Sequence, residues 1–368
     1  MALTEDVIII GGGPPGAACA RELARAGRRV LVLEPGGEVG QGWRAAAGML
    51  APQIEAGPDD PLLELGLAAR ERYRALADEL LESTGIDIGL WQEGIAAVAL
   101  DEAEATELRS RVAWQRQQGF LSDWLDAEEV AARWPWVGRT QGALWAPHEG
   151  AVEPDKLVGA LLADAVAAGA SVVADRAIAI ESRDGRVAGV SGERARYSAP
   201  EVIVAAGAWS SLVQGLPRPL SVSPVRGQMA ALPWPAGARR AIVYSRDCYM
   251  LGRGDEAILG STMEYVGFRP EVTSAGLGRI FSVATALCPS LDRAEVRRTW
   301  SGLRPMTPDG LPILGGEPRM QGLWYATGHG RNGILLAGLT GVLLKQLVAG
   351  EPVAEDLAPF SPARFWRW

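Results

Sequence analysis

The chain has 368 residues, 36 Lys+Arg against 44 Asp+Glu, a formal net charge of -8 and 48% hydrophobic residues. That length and apolar content predict two or three domains with a large core and exclude disorder, while an acidic balance with no basic block excludes nucleic acid as the main partner. Three cysteines, Cys19, Cys248 and Cys288, form no CxxC pair; this suits neither a disulfide framework nor a metal site and points to a reducing, cytoplasmic setting. No targeting segment is expected, and no window reaches the ~18 uninterrupted apolar residues of a membrane span.

The first predicted element is a βαβ unit over residues 7–34. Val7-Ile8-Ile9-Ile10 reads as a buried strand, residues 17–26 as a helix ended by Gly27, and Val30-Leu31-Val32-Leu33 as a second strand. Gly11, Gly13 and Gly16 lie between them in GxGxxG spacing, and Glu34 ends the second strand. Gly11 permits the tight turn, Gly13 lets a pyrophosphate approach the helix N-terminus, and Gly16 allows close helix–strand packing. Glu34 would accept hydrogen bonds from ribose hydroxyls. Pro14 and Pro15 are tolerable because early helix positions need no amide partner. In this setting the pattern predicts a dinucleotide; the bland alternative is a glycine turn in an ordinary βαβ unit.

Residues 62–84 have helical periodicity, 91–148 mix short strands with helices, and 156–168 form a helix. Strands follow at 171–173 and 177–180, with a hairpin turn at 183–186, and a buried strand at 202–204 ends in Ala205-Ala206-Gly207. Strand-like runs at 229–232, 241–244, 249–251 and 257–259, punctuated by Gly and Pro, predict an antiparallel sheet. A strand at 323–326, a glycine-rich turn and a helix over 333–348 return to the opening grammar. The expected fold is α/β (α+β overall). A Rossmann-type nucleotide domain from residues 1–85, 150–218 and 300–368 would interleave with a substrate domain, 86–149 and 219–299, on a mainly antiparallel sheet.

The small residues of Arg44-Ala45-Ala46-Ala47-Gly48-Met49-Leu50-Ala51-Pro52 would let the backbone pass close to a ribityl chain and ring, or simply form a small-residue loop. This run resembles the glycine oxidases of the thiamine pathway, in the D-amino-acid oxidase superfamily of FAD enzymes. The resemblance extends through Val225-Arg226-Gly227-Gln228, Asp247-Cys248-Tyr249, Gly260-Ser261-Thr262-Met263, Gly302-Leu303-Arg304-Pro305-Met306-Thr307-Pro308-Asp309-Gly310 and Gly328-His329-Gly330-Arg331-Asn332-Gly333-Ile334-Leu335-Leu336.

The resemblance implies FAD, held non-covalently by Gly11, Gly13, Pro14, Pro15, Gly16, Glu34, Pro35, Gly42, Trp43, Ala47, Gly48, Met49, Ala177, Gly207, His329, Gly330, Arg331, Asn332, Gly333, Ile334 and Leu335. It implies Arg304 as the carboxylate ligand, with Tyr249, Met263 and Arg331 as pocket wall. The chemistry agrees, because a planar guanidinium grips a carboxylate bidentately; the bland readings are a solvated Arg304 and a core Tyr249. Arg331 precedes an expected helix N-terminus, a poor place for a structural cation unless an anion lies beside it. The helix start at Gly333-Ile334-Leu335 could stabilise negative charge on a reduced flavin.

The implied activity is oxidation of glycine or a small amine to an imine, with hydride passing from Cα to flavin and O2 reduced to H2O2, in support of thiazole synthesis. No base is assigned; the only histidines are His148, read as a surface residue, and His329. The alternatives are a related oxidase or dehydrogenase for a D-amino acid or secondary amine, and a non-catalytic FAD-binding subunit. Four departures from the family pattern stand out: Pro14-Pro15, Trp43-Arg44, Asp247 where a histidine is sometimes found, and Gly330 where the family has an aromatic residue. The last either opens the pocket to larger amines or loosens the turn. The aromatic tail Phe365-Trp366-Arg367-Trp368 predicts a homo-oligomer.

Overall fold

Four branched residues in a row cannot all face one core, so Val7–Ile10 must be covered on both sides. The computed structural model, which describes residues 5–37, 39–246 and 248–365, shows how. Asp247 and Trp366-Arg367-Trp368 lie outside the described residues. Val7–Ile10 is central in a six-stranded sheet, ordered Ile313–Gly316, Leu323–Thr327, Glu201–Val204, Val7–Ile10, Val30–Leu33, Ser171–Val173. All its pairings are parallel except that of the edge strand Ile313–Gly316. Val7, Ile9, Val30 and Val32 pack with helices Pro14–Arg25, Pro154–Ala167 and Ala337–Ala349. Ile8, Ile10, Leu31 and Leu33 face the other way, onto Ile180, Val187 and Val190 of a three-stranded antiparallel sheet.

The second large sheet has eight strands, ordered Arg298–Met306, Ser223–Pro233, Glu256–Gly260, Tyr249–Arg253, Ile242–Tyr244, Ile95–Ala99, Gly142–Ala146, Asp123–Asp126. Its pairs are antiparallel except Ile242–Tyr244 against Ile95–Ala99. Arg298–Met306 belongs wholly to this sheet, pairing with Ser223–Pro233, so one continuous strand crosses the boundary expected at residue 300. The helix expected over 62–84 is two, Leu62–Glu71 and Tyr73–Thr84. The last helix starts at Ala337 rather than Gly333, because residues 333–336 first form a turn. Among the described residues no helix is long and apolar enough to cross a membrane, no His/Cys/Asp/Glu group is arranged to hold a metal, and all three cysteines are buried and outside disulfides.

A buried charge cluster ties the nucleotide-side helices together. Arg21 Nε donates to Asp164 Oδ2 at 2.5 Å, and Arg21 Nη2 to Glu79 Oε2 at 2.5 Å. The Arg21 side chain is 4% exposed and that of Asp164 7%. Arg21→Met would leave Asp164 buried with only Arg25 as partner, and should lower unfolding stability by about 3 kcal/mol in denaturant titration. A loss below about 1 kcal/mol would show that the cluster is not a tie.

Candidate active site

One continuous cleft runs from the first β–α turn to the eight-stranded sheet. At its nucleotide end Gly11 has φ 101°, and a Cβ there would stand 2.5 Å from the Ala205 carbonyl oxygen, so the turn requires glycine. The helix Pro14–Arg25 begins without a side-chain cap, which leaves its start open to an anion. A Cβ on Gly16 would lie 2.0 Å from the Gly11 carbonyl oxygen; Gly16 is thus a packing glycine beneath the cleft and not part of its lining. Glu34 Oε2 accepts from the Gly12 amide at 2.8 Å, and Oε1 accepts from Gln41 Nε2 at 2.9 Å and the Gly36 amide at 3.1 Å. Gln41, which sequence reading missed, thereby orients Glu34 and lines the cleft.

Pro14, Pro15, Pro35, Gly42, Trp43, Ala47, Gly48, Met49, Ala177 and Gly207 all line the cleft with Gly11, Gly13 and Glu34. The smallness of residues 42–48 has a reason besides a ligand. A Cβ on Gly42 would meet the Leu303 carbonyl oxygen at 2.6 Å, and one on Gly48 the Val152 carbonyl oxygen at 2.1 Å. The segment is wedged between the strand Arg298–Met306 and Gly150–Ala151, which pairs with Met49–Leu50.

Arg304 marks the other end. Its Nη1 donates to the Thr262 carbonyl at 3.0 Å and its Nη2 to Ser261 Oγ. Gly227 on the neighbouring strand makes room, since a Cβ there would sit 2.3 Å from Arg304 Nη1. Among the described residues no carboxylate lies within ion-pair distance of Arg304, and burial holds its pKa below the usual guanidinium value. Tyr249 is buried beside it, and burial pushes the phenol up to about 12, so it stays a donor. Its present contact is a weak one, to Met229 Sδ at 3.5 Å.

Met263 is not with them. It is 44% exposed and outside the cleft lining, because extended backbone alternates and the preceding Thr262 turns inward to accept the Gln228 amide. Met229 and Met49 supply the thioether surface instead.

Arg331 lines the cleft, but its anionic neighbour is a residue that sequence reading missed. Arg331 Nη2 donates to Glu55 Oε1 at 2.9 Å and contacts the Tyr244 hydroxyl, which reaches the same Glu55 oxygen at 3.1 Å. Glu55 raises the Arg331 pKa further. Tyr244 stacks on Tyr249 with ring centroids 5.8 Å apart. His329, Gly330, Asn332, Gly333 and Ile334 also line the cleft, whereas Leu335 points into the core at 2% exposure. Gly333 and Ile334 therefore sit in a turn ahead of the helix and not at its first residues. Gly330 has φ 54°, and a Cβ there would head for Met306 Sδ at 2.8 Å. Glycine suits this turn by its conformation, and the Gly330 amide donates to the Pro305 carbonyl at 2.9 Å. His148 is exposed, as expected.

His329 Nε2 pairs with Thr340 Oγ1 at 3.1 Å, and burial depresses its pKa to about 3. It is therefore neutral and fixed near pH 7, not an acid–base group. Between about pH 3 and the ordinary histidine value the unfolded chain binds a proton that the folded one does not. Stability should then fall as pH falls through that window, by up to about 1.4 kcal/mol per unit. His329→Asn should flatten this slope in denaturant titrations at several pH values; an identical slope would contradict a neutral, buried ring.

With the cleft described, its relatives can be placed. Residues 6–347 match the family described as FAD dependent oxidoreductase (DAO). The chain is 37% identical to the glycine oxidase of Geobacillus kaustophilus over 366 residues, covering 98% of this chain and 97% of that protein. The crystal structure of glycine oxidase from the same organism superposes with a TM-score of 0.94 at 36% identity, covering 98% and 99% of the two chains. It is 34% identical to the bifunctional protein ThiO/ThiG of Synechocystis sp., covering 99% of this chain but 55% of that protein. On this breadth of match the chain belongs to the FAD dependent oxidoreductase family.

Proposed function

We propose that this chain catalyses FAD-dependent oxidative deamination of glycine or a similarly small amino acid, as its glycine oxidase relatives are named for. The observation that carries the reading is Arg304, a guanidinium set at the ring end of a nucleotide cleft with no carboxylate among the described residues within ion-pair distance. A half-buried cation of that kind carries a desolvation cost that an anion would offset.

The residues present fit the cofactor. The Gly11 turn and the uncapped helix start would take the diphosphate, Glu34 the ribose, and Ala177 and Gly207 the adenine side. Ala47, Gly48, Met49 and the segment from His329 to Ile334 would take the ring. When bound, FAD supplies the two-electron acceptor for the Cα–H of the substrate. The chain's own residues do the rest. Arg304 spends one donor on Thr262 and one on Ser261, keeping its other N–H groups for a substrate carboxylate. Tyr249 donates a further hydrogen bond in exchange for its weak thioether contact. Among the described residues lining this end of the cleft, Glu55 offsets Arg331, which leaves the Arg304 charge to match one carboxylate. Held this way, a small amino acid has little orientational freedom left to lose.

The same reading takes the six-stranded sheet with its helices as the cofactor part and the eight-stranded sheet as the substrate part. It assigns O2 as oxidant, a reducing cytoplasmic setting consistent with three buried thiols, and delivery of the imine to thiazole synthesis, as the ThiO/ThiG relative's name suggests. It also extends to a homo-oligomer, on the aromatic tail sequence; sedimentation as a monomer would overturn that part.

Glycine added anaerobically should bleach the yellow protein. Arg304→Ala should keep the flavin but raise the KM for glycine at least about tenfold, the worth of one charge-assisted pair. An unchanged KM removes Arg304 from the substrate site.

A further inference from the structure

Glu55 is held at the cleft by a helix of only four residues, Pro52–Glu55. One turn has no stability of its own. Both of its ends are tied by side-chain hydrogen bonds. At the start, the fully buried Glu149 accepts the amide of Gln53 and, at 3.3 Å, that of Ile54. At the end, Arg111 Nη2 donates to the carbonyls of Ile54 at 2.5 Å and Ala56 at 2.9 Å, and to that of Gln53 at 3.2 Å. The placement is the one that satisfies helix ends: carboxyl oxygens at the amide end, a guanidinium at the carbonyl end. The Gln53 side chain adds a lateral tie, accepting from Arg70 Nη1 at 2.6 Å and donating to the Leu121 carbonyl at 3.1 Å.

Glu149 and Arg111 lie outside the cleft lining, and both are uncomfortable where they are. Burial pushes Glu149 up to about 8, with the Gln53 amide and Arg70 pulling it down, and burial lowers Arg111. Buried ionisable groups cost stability unless hydrogen bonds satisfy them. We propose that Glu149 and Arg111 are positioning residues for the substrate site: they clamp Pro52–Glu55 at both ends, and the Glu55 carboxylate passes that fixation to Arg331 and Tyr244 on the cleft wall. This inference rests on reading the cleft as an amino-acid site.

The test is a mutant cycle in the flavin-loaded protein: Glu149→Gln, Glu55→Gln and the double variant. Glutamine at 149 keeps the shape but sets an NH2 against amide donors. Glu149→Gln should raise the KM for glycine about tenfold with kcat within about twofold. In the Glu55→Gln background it should change KM less than about twofold, because the route through Glu55 is already cut. Arg111→Gln makes the same test from the other end, and replaces Glu149→Gln if that variant does not fold. Equal factors in both backgrounds, or an unchanged KM, overturn the proposal. Acetate affinity, read from the flavin absorbance and needing no turnover, is measured across the same series. A wild type that binds acetate but does not oxidise glycine overturns the functional reading alone. The positioning role then stands or falls on whether Glu149→Gln weakens acetate binding only when Glu55 is present.

Discussion

A guanidinium on a cleft wall, with no carboxylate among the described residues in ion-pair distance, is the constraint around which this molecule is arranged. Arg304 is reachable only because three chain segments come unusually close: Gly227 yields the space its fork occupies, Gly302 lies against Ala45, and Gly42 against the Leu303 carbonyl. The long strand Arg298–Met306 runs beside residues 40–45, which follow the nucleotide unit, so the substrate sheet meets that segment next to the residue that would hold the substrate. The polar atoms that fix it, Ser261 Oγ and the Thr262 carbonyl, orient the charge without cancelling it. That difference between orienting and neutralising is what makes a binding site of an ion that would otherwise be a cost.

Arg331 shows the opposite arrangement. It is neutralised by Glu55 and tied to Tyr244, which stacks on Tyr249. In the proposed reading one arginine is thereby left for the ligand, and the other becomes wall. The wall in turn depends on a four-residue helix braced by Glu149 and Arg111.

Much of this was legible in the sequence, and the physical reasons divide sharply. The glycine turn, Glu34 and the two strands are local: spacing fixes their geometry, and the structure brings Gly11, Gly13 and Glu34 together at one end of the cleft. The antiparallel runs after residue 220 were legible through their alternation and turn residues. Glu55 was not, because nothing in its neighbourhood announces a partner 276 residues away in Arg331. Met263 and Leu335 lie in motifs that resemble a flavin family, yet one side chain faces solvent and the other the core. A motif fixes the backbone path, while strand alternation and helix phase decide which side chains reach the ligand. The late start of the helix Ala337–Ala349 was hidden for a related reason: glycine and leucine at 333–336 suit a turn as well as a helix.

The central claim is that a single carboxylate, recognised by Arg304, decides what this cleft accepts. The most direct measurement compares glycine with methylamine, which shares the C–N bond to be oxidised but has no carboxylate, in anaerobic reduction of the flavin-loaded protein. The account predicts that glycine bleaches the flavin and that methylamine at the same concentration reduces it at least about a hundredfold more slowly, the worth of two charge-assisted contacts. Equal rates for the two amines would contradict it.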